Sequence, residues 1–236
     1  MRKVTAIVRA QMSQMVRDPM YLVMSLGMPV LITWIMGFLP PNMAGLATGG
    51  VISMFLGLNL IMSAASVIEE KQTGTWRRLL AAPVARWEIV CGYLLKLLAL
   101  AWAQAAVLLV SARYLFKVPW CHFTWAASTV LGSYILAMAG LGVLLSTVLK
   151  TYQQVPAVGT GISVAGTMLS GVFFPAEGNK VMLLVSKVSP QGWAARCLDL
   201  TMGRGAGLSQ VASPVLWMTL AGLGFLALGI ARVRYE

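Results

Sequence analysis

Apolar runs dominate the chain, and their lengths fall into two classes. Six runs, at residues 20–39, 46–68, 91–112, 126–149, 155–174 and 214–230, each approach the roughly 17–25 residues a helix needs to cross a hydrocarbon core of about 30 Å. Lys96 is the one charge inside any of them, one turn from an edge and able to snorkel out. Two further apolar pieces, 181–188 and 193–200, are about eight residues each and too short to cross. Between them Ser189-Pro190 is a turn signal. The pattern predicts an all-α integral membrane protein with six transmembrane helices. Two short re-entrant helices in 175–207 dip in from one face, the alternative being a surface loop with two helical turns. Pro29 is expected to kink the first span, and Pro40-Pro41-Asn42 to make the short turn into the second. In that second span Gly45, Gly49 and Ser53 recur every four residues, a stripe suited to close helix contact.

Outside the spans, residues 1–18 form an amphipathic pattern. Val4, Ile7, Val8, Met12, Met15 and Val16 share one side of a helical wheel, and Arg2, Lys3, Arg9, Ser13 and Arg17 share the other. An interfacial helix along the headgroups is predicted, ended by Asp18-Pro19, with no sign of a cleaved leader. Residues 69–88, EEKQTGTWRRLLAAPVARWE, are an island of dense charge between two spans. Residues 113–125 make a polar, aromatic loop with Arg113, Lys117, Trp120 and His122.

Charge gives the spans a direction. The 236 residues are 58% hydrophobic and 11% charged, with mean hydropathy +0.79, whereas soluble domains carry about 25% charged residues. The net charge of +11 is scattered in short clusters rather than gathered into a phosphate-backbone footprint, so no nucleic-acid partner is expected. Six spans put both termini on one side. With the amino terminus in the cytoplasm, that side holds about 12 basic residues and the other about six, as expected where cytoplasmic loops are enriched in Lys and Arg. Both termini and the 69–88 island are thereby cytoplasmic, and the re-entrant region is external. Cys91, Cys121 and Cys197 show no metal spacing; Cys121 and Cys197 share the external side, as a pair or as separate apolar fillers.

Several chemistries are missing. No G-x-x-x-x-G-K-[ST] phosphate loop and no H-E-x-x-H occur, and a single histidine builds no histidine metal site. The acids Asp18, Glu69, Glu70, Glu88, Glu177, Asp199 and Glu236 all lie at or beyond the span edges. Proton-driven carriers place carboxylates at mid-membrane, so energy for any transport has to arrive from elsewhere.

Two motifs carry a family likeness. Glu70, Gly74-Thr75, Leu79-Leu80, Pro83 and Arg86, leading into a span, resemble the cytoplasmic loop of ABC-2-type transporter permeases. Ser170-Gly171-Val172-Phe173-Phe174-Pro175, followed by Val181-Met182 and Ser189-Pro190, resembles that family's end of the fifth helix and its external re-entrant helices. The likeness covers essentially the whole chain. It implies one permease domain over residues 1–236, in an exporter of two permeases and two separate ATPase subunits, with a homodimer preferred over a heterodimer. ATP and Mg2+ would sit on the ATPase, with no cofactor on this chain. The loop after the second span would form a coupling helix in a cleft of the ATPase. The resemblance also implies a cell inner-membrane location and an amphiphilic substrate: a lipid, a drug or a lipid-linked glycan. A lipid-modifying membrane enzyme and a structural subunit of a membrane complex are the competing readings.

The residues support specific roles beside plainer ones. In the island, Thr73 or Thr75 can cap a helix, Gly74 permits the turn and Pro83 ends it. Trp76, Leu79 and Leu80 offer apolar contacts, Arg77 and Arg78 charge-assisted ones; the plain reading is a solvated loop that enforces topology. Gly171, Phe173, Phe174 and Pro175 can form an external gate or an interfacial aromatic belt. Asn59 and Gln104 can line a path or hydrogen-bond between helices. Glu177, Lys180 and Arg196 can meet anionic headgroups or remain solvated.

Overall fold

The computed structural model describes residues 20, 23–72, 86–115, 118, 120, 124–149, 151, 153–174 and 179–232. The predicted interfacial helix, the central part of the charged island, Cys121 and Pro175 lie outside them. The described residues form helices and connections, with no strand. A π-helical turn, Val23–Gly27, leads into α1, Met28–Met36. Then come α2, Pro41–Gln72, and α3, Arg86–Val110, which continues as a π-turn, Ser111–Leu115. α4 is Trp125–Val148, α5 Gln154–Met168, α6 Lys180–Val188 and α7 Pro190–Leu198, followed by a π-turn, Asp199–Gly203. α8 is Leu208–Arg232.

Among the described residues, four helical stretches are long and apolar enough to cross a membrane: Met43–Ala64, Leu97–Tyr114, Trp125–Val148 and Leu208–Arg232. α1 and α5 are shorter. At 9 and 15 residues they rise about 14 Å and 22 Å, less than a hydrocarbon core. α5 also stops at Met168, short of the expected 174, because Gly171 turns the chain with φ 79°. α2 is longer than the expected 46–68. Pro41 opens it, where a proline's missing N–H costs nothing, and it runs through Glu69 and Glu70 to Gln72. The island therefore begins as the last turn of one helix and ends, from Arg86, as the first turn of the next. α8 starts at Leu208, with Pro214 inside it rather than at its head; the polar first turns extend the helix beyond its apolar part.

The expected break at Pro29 takes a specific form. In an α-helix the carbonyl of Ser25 would accept from the N–H of residue 29, and proline has none. Ser25 lies instead in the π-turn, and Gln104 of α3 reaches its carbonyl: Nε2 donates at 2.9 Å. Gln104 is buried and joins α3 to the segment that leads into α1.

α4 is the centre of the bundle. Leu131, Tyr134, Ile135 and Met138 are fully buried among Ile52, Leu56 and Ile61 of α2, Leu108 of α3 and Met218 of α8. The Tyr134 hydroxyl donates to the Ser53 carbonyl of α2. Against α8 the backbones themselves meet. A Cβ on Gly140 would lie 2.5 Å from the Gly222 carbonyl oxygen, and one on Gly222 would lie 2.8 Å from the Ala137 nitrogen. Close approach through small residues is how helices associate where lipid is the solvent. The outward faces of α1 and α8, with Leu31, Trp34, Ile35, Leu216, Trp217, Leu220 and Leu223, are exposed and apolar, as a lipid-facing surface must be.

Candidate functional site

Local capping signals fold residues 179–203 into a helical hairpin. Asn179 Oδ1 accepts from the Val181 and Met182 amides at 3.0 and 3.4 Å and starts α6. The Ser189 amide donates to the Val185 carbonyl at 2.8 Å and closes α6, while Ser189 Oγ accepts from the Gly192 amide at 3.3 Å and opens α7. Pro190 follows at the first position of α7, with its φ already helical. These are the two short helices expected from the apolar lengths and the Ser189-Pro190 signal.

The two arms differ in burial. Gln191, Gly192, Ala194, Ala195, Cys197 and Leu198 of α7 are buried, whereas α6 buries no residue. α7 packs antiparallel to α2. A Cβ on Gly49 would lie 2.8 Å from the Ala195 carbonyl oxygen, and one turn earlier the Asp199 carboxylate rests against Gly45 beside the Trp120 indole. At the hairpin's tip, Ser189 Oγ donates to the Gly166 carbonyl of α5 at 2.7 Å. The Gln191 side-chain amide lies 2.9 Å from the same Oγ. The facing atom is Gln191 Oε1, so the one hydroxyl proton is shared between the Gly166 carbonyl and this amide oxygen.

Arg196 ties three elements together. Its Nε donates to the Gly192 carbonyl of α7 at 3.0 Å. Its Nη2 donates to the Ser186 carbonyl of α6 at 2.7 Å and to the Ser170 carbonyl beyond α5 at 3.2 Å. Ser186 and Ser170 lie at the carboxyl ends of their helices, where the backbone dipole favours a cation. Burial lowers the Arg196 pKa from its ordinary value, but guanidinium stays charged in proteins. Arg196 is thus neither a solvated charge nor a free headgroup ligand. The sequence gives little hint of it, because its acceptors are main-chain carbonyls that any residue supplies; a lone charge in a short apolar helix is the only sign.

Directly after Ser170 comes Gly171, in the left-handed conformation with φ 79° that favours glycine. The chain then lays Val172 and Phe173 on α2, where a Cβ on Gly50 would meet Val172 Cγ1 at 2.5 Å and the Phe173 ring at 3.1 Å. Phe173 is half-buried against Gly50 and Phe174 is 59% exposed, so the two phenylalanines of the candidate gate meet different surroundings. Asn59 is buried on α2, with no partner for Nδ2 among the described residues. It lies about 14 Å along the helix from Gly50 and does not join this cluster. Gly74, Thr75, Trp76, Arg77, Arg78, Leu79, Leu80 and Pro83 lie outside the described residues; Glu70 and Arg86 bracket them in the last turn of α2 and the first of α3.

Long apolar helices around a glycine-packed centre, with a capped hairpin tied into the bundle, define a polytopic helical membrane protein. The ABC-2 type transporter family matches residues 2–202, and the chain belongs to it. The chain is 29% identical over 163 residues to the linearmycin resistance permease protein LnrN of Bacillus subtilis (strain 168), covering 69% of this chain and 42% of the relative. It is 27% identical over 124 residues to the probable multidrug ABC transporter permease YbhR of Escherichia coli (strain K12), covering 52% of this chain and 34% of the relative. The matched part thus spans about two fifths and one third of these relatives' lengths.

Proposed function

We propose that this chain is the membrane permease of an ATP-driven exporter that moves an amphiphilic substrate, a lipid, drug or lipid-linked glycan, out of the cytoplasm or inner leaflet. The family membership supports the permease reading, and the resistance and multidrug permeases among its relatives support efflux. In this reading six spans cross the inner membrane, α1 and α5 doing so with their flanking segments, and both termini are cytoplasmic. Two copies of the chain pair. Separate ATPase subunits, carrying ATP and Mg2+, dock on residues 69–88, with Glu70, Gly74 to Leu80, Pro83 and Arg86 as the contact.

The observation that carries the reading is α2 itself. It is one helix from the turn beneath the α6–α7 hairpin to the start of the docking segment, and so it links the site where energy would enter to the candidate gate at Gly171, Phe173, Phe174 and Pro175. The test is co-purification in mild detergent followed by ATPase assay. An ATPase subunit is expected with the wild-type chain, and Gly74→Asp or Leu79→Asp is expected to abolish substrate-stimulated hydrolysis without loss of membrane insertion. Full stimulation in both variants refutes the docking role.

A further inference from the structure

A single nitrogen, Arg196 Nη2, is shared between two elements. One of its protons goes to the Ser186 carbonyl in the last turn of α6, the other to the Ser170 carbonyl at the Gly171 turn. The helix that carries Arg196 is the anchored arm, buried against α2 and α4. α6 is the unanchored arm, with no buried residue and with Val181, Leu184 and Val188 exposed. We propose that Arg196 is a positioning residue that couples α6 to the Gly171 turn, so that the outer arm and the segment carrying Val172, Phe173 and Phe174 hold or leave their places together.

The chemistry favours a coupled pair over two independent contacts. The guanidinium is planar and its donors are fixed in a fork. The Nε bond to Gly192 at 3.0 Å within α7 sets the plane, and the plane then sets both Nη2 protons. If α6 withdraws its carbonyl, the freed proton draws the guanidinium toward water, and the 3.2 Å bond to Ser170, the longest of the three, lengthens with it. Loosening the Gly171 turn acts on α6 by the same route. The tip bond from Ser189 to Gly166 keeps the hinge end of α6 in place while its other end swings. The purpose of the coupling, gating an exit, rests on the exporter reading. The coupling itself does not.

Spin-label distances in the full chain, reconstituted in nanodiscs, test it without any transport assay. Cys91 and Cys121 are replaced by serine, and the buried free Cys197 is kept as a reporter of α7 docking through its resistance to maleimide. One label pair joins α6 to the bundle, at Leu184 and Trp125, which are 66% and 90% exposed. The other pair joins Phe174 to Trp125. In Arg196→Gln both distance distributions are expected to broaden together, the ratio of displaced to docked populations rising about ten-fold for the loss of a charge-assisted hydrogen bond. Cys197 stays protected. Arg196→Lys, whose ammonium can still bridge two carbonyls, restores much of the narrow distribution in both pairs. Broadening of one pair alone, or of neither, overturns the coupling. Maleimide reaction at Cys197 in Arg196→Gln also overturns it, since Arg196 would then only hold α7 in place.

Discussion

The seam between α4 and α8 and the junction of α5, α6 and α7 hold helices together by opposite means. At the seam, Gly140 and Gly222 let two backbones touch, and the attraction is dispersion, which fades within a fraction of an ångström. At the junction, one arginine and one serine reach main-chain carbonyls across three elements. A close-packed seam can exchange its contacts only for looser ones with lipid tails, so opening it loses packing with no specific replacement. A polar junction can trade its partners for water or lipid headgroups, so it can open and close again. The bundle thus has a fixed half and a reversible one.

The largest expected effect tests the fixed half. Gly222→Leu forces a side chain into the space now taken by the backbone of Ala137, and overpacking of this kind costs about 3 kcal/mol or more. A fall in melting temperature of about 10 °C in mild detergent is expected; an unchanged melt means the seam is loose and the contrast is false. Arg196→Ala comes next. It removes three side-chain bonds to main-chain carbonyls, costs about 2 kcal/mol, and is expected to lower the melt by about 6 °C while leaving the apolar core cooperative. A loss larger than that of Gly222→Leu would reverse the ranking of the two halves. Tyr134→Phe removes a single bond between α2 and α4 and is expected to cost about 1 kcal/mol, which thermal melts of the pair resolve.

The smallest effect sharpens the comparison at the edge of the junction. Burial raises the pKa of Asp199 above its ordinary value, and Arg204, 3.9 Å away, only partly opposes this. A carboxyl whose folded pKa is raised binds its proton more tightly in the folded state. Its contribution is present below the unfolded pKa and is lost as pH rises through the raised folded value. Melting temperatures measured across that window should fall with rising pH in the wild type relative to Asp199→Asn. A relative rise would mean that Arg204 or the Trp120 indole dominates the site.

How much of this was legible depends on which atoms carry the information. α4 matches its expected limits to within one residue because an uncharged run ends at polar residues on both sides. The hairpin was legible too: its pieces were too short to cross, and Ser189-Pro190 marked the joint. The overhang of α2 and the early start of α8 were not, since helix beyond an apolar run is written in polar residues that fit a loop equally well. For Gln104 the sequence offers a path or a bond between helices, and its partner, the Ser25 carbonyl, is fixed only by the fold. The bonds of Arg196 leave no trace in the sequence, because carbonyl acceptors brought from three elements make no pattern along a chain.

α2 has one more consequence. Its 32 residues make a rod about 48 Å long, touched by α7 at Gly49 and by the following π-turn at Gly45, and running on to Gln72, where the island's central segment begins. The two ends of such a rod share a rotational phase. One residue gained or lost between Gly49 and Gln72 would turn everything beyond it by about 100° and shift it by about 1.5 Å, so that the island would leave at a different angle while every side chain kept its identity. Along this helix, the number of residues is a tighter specification than their kind.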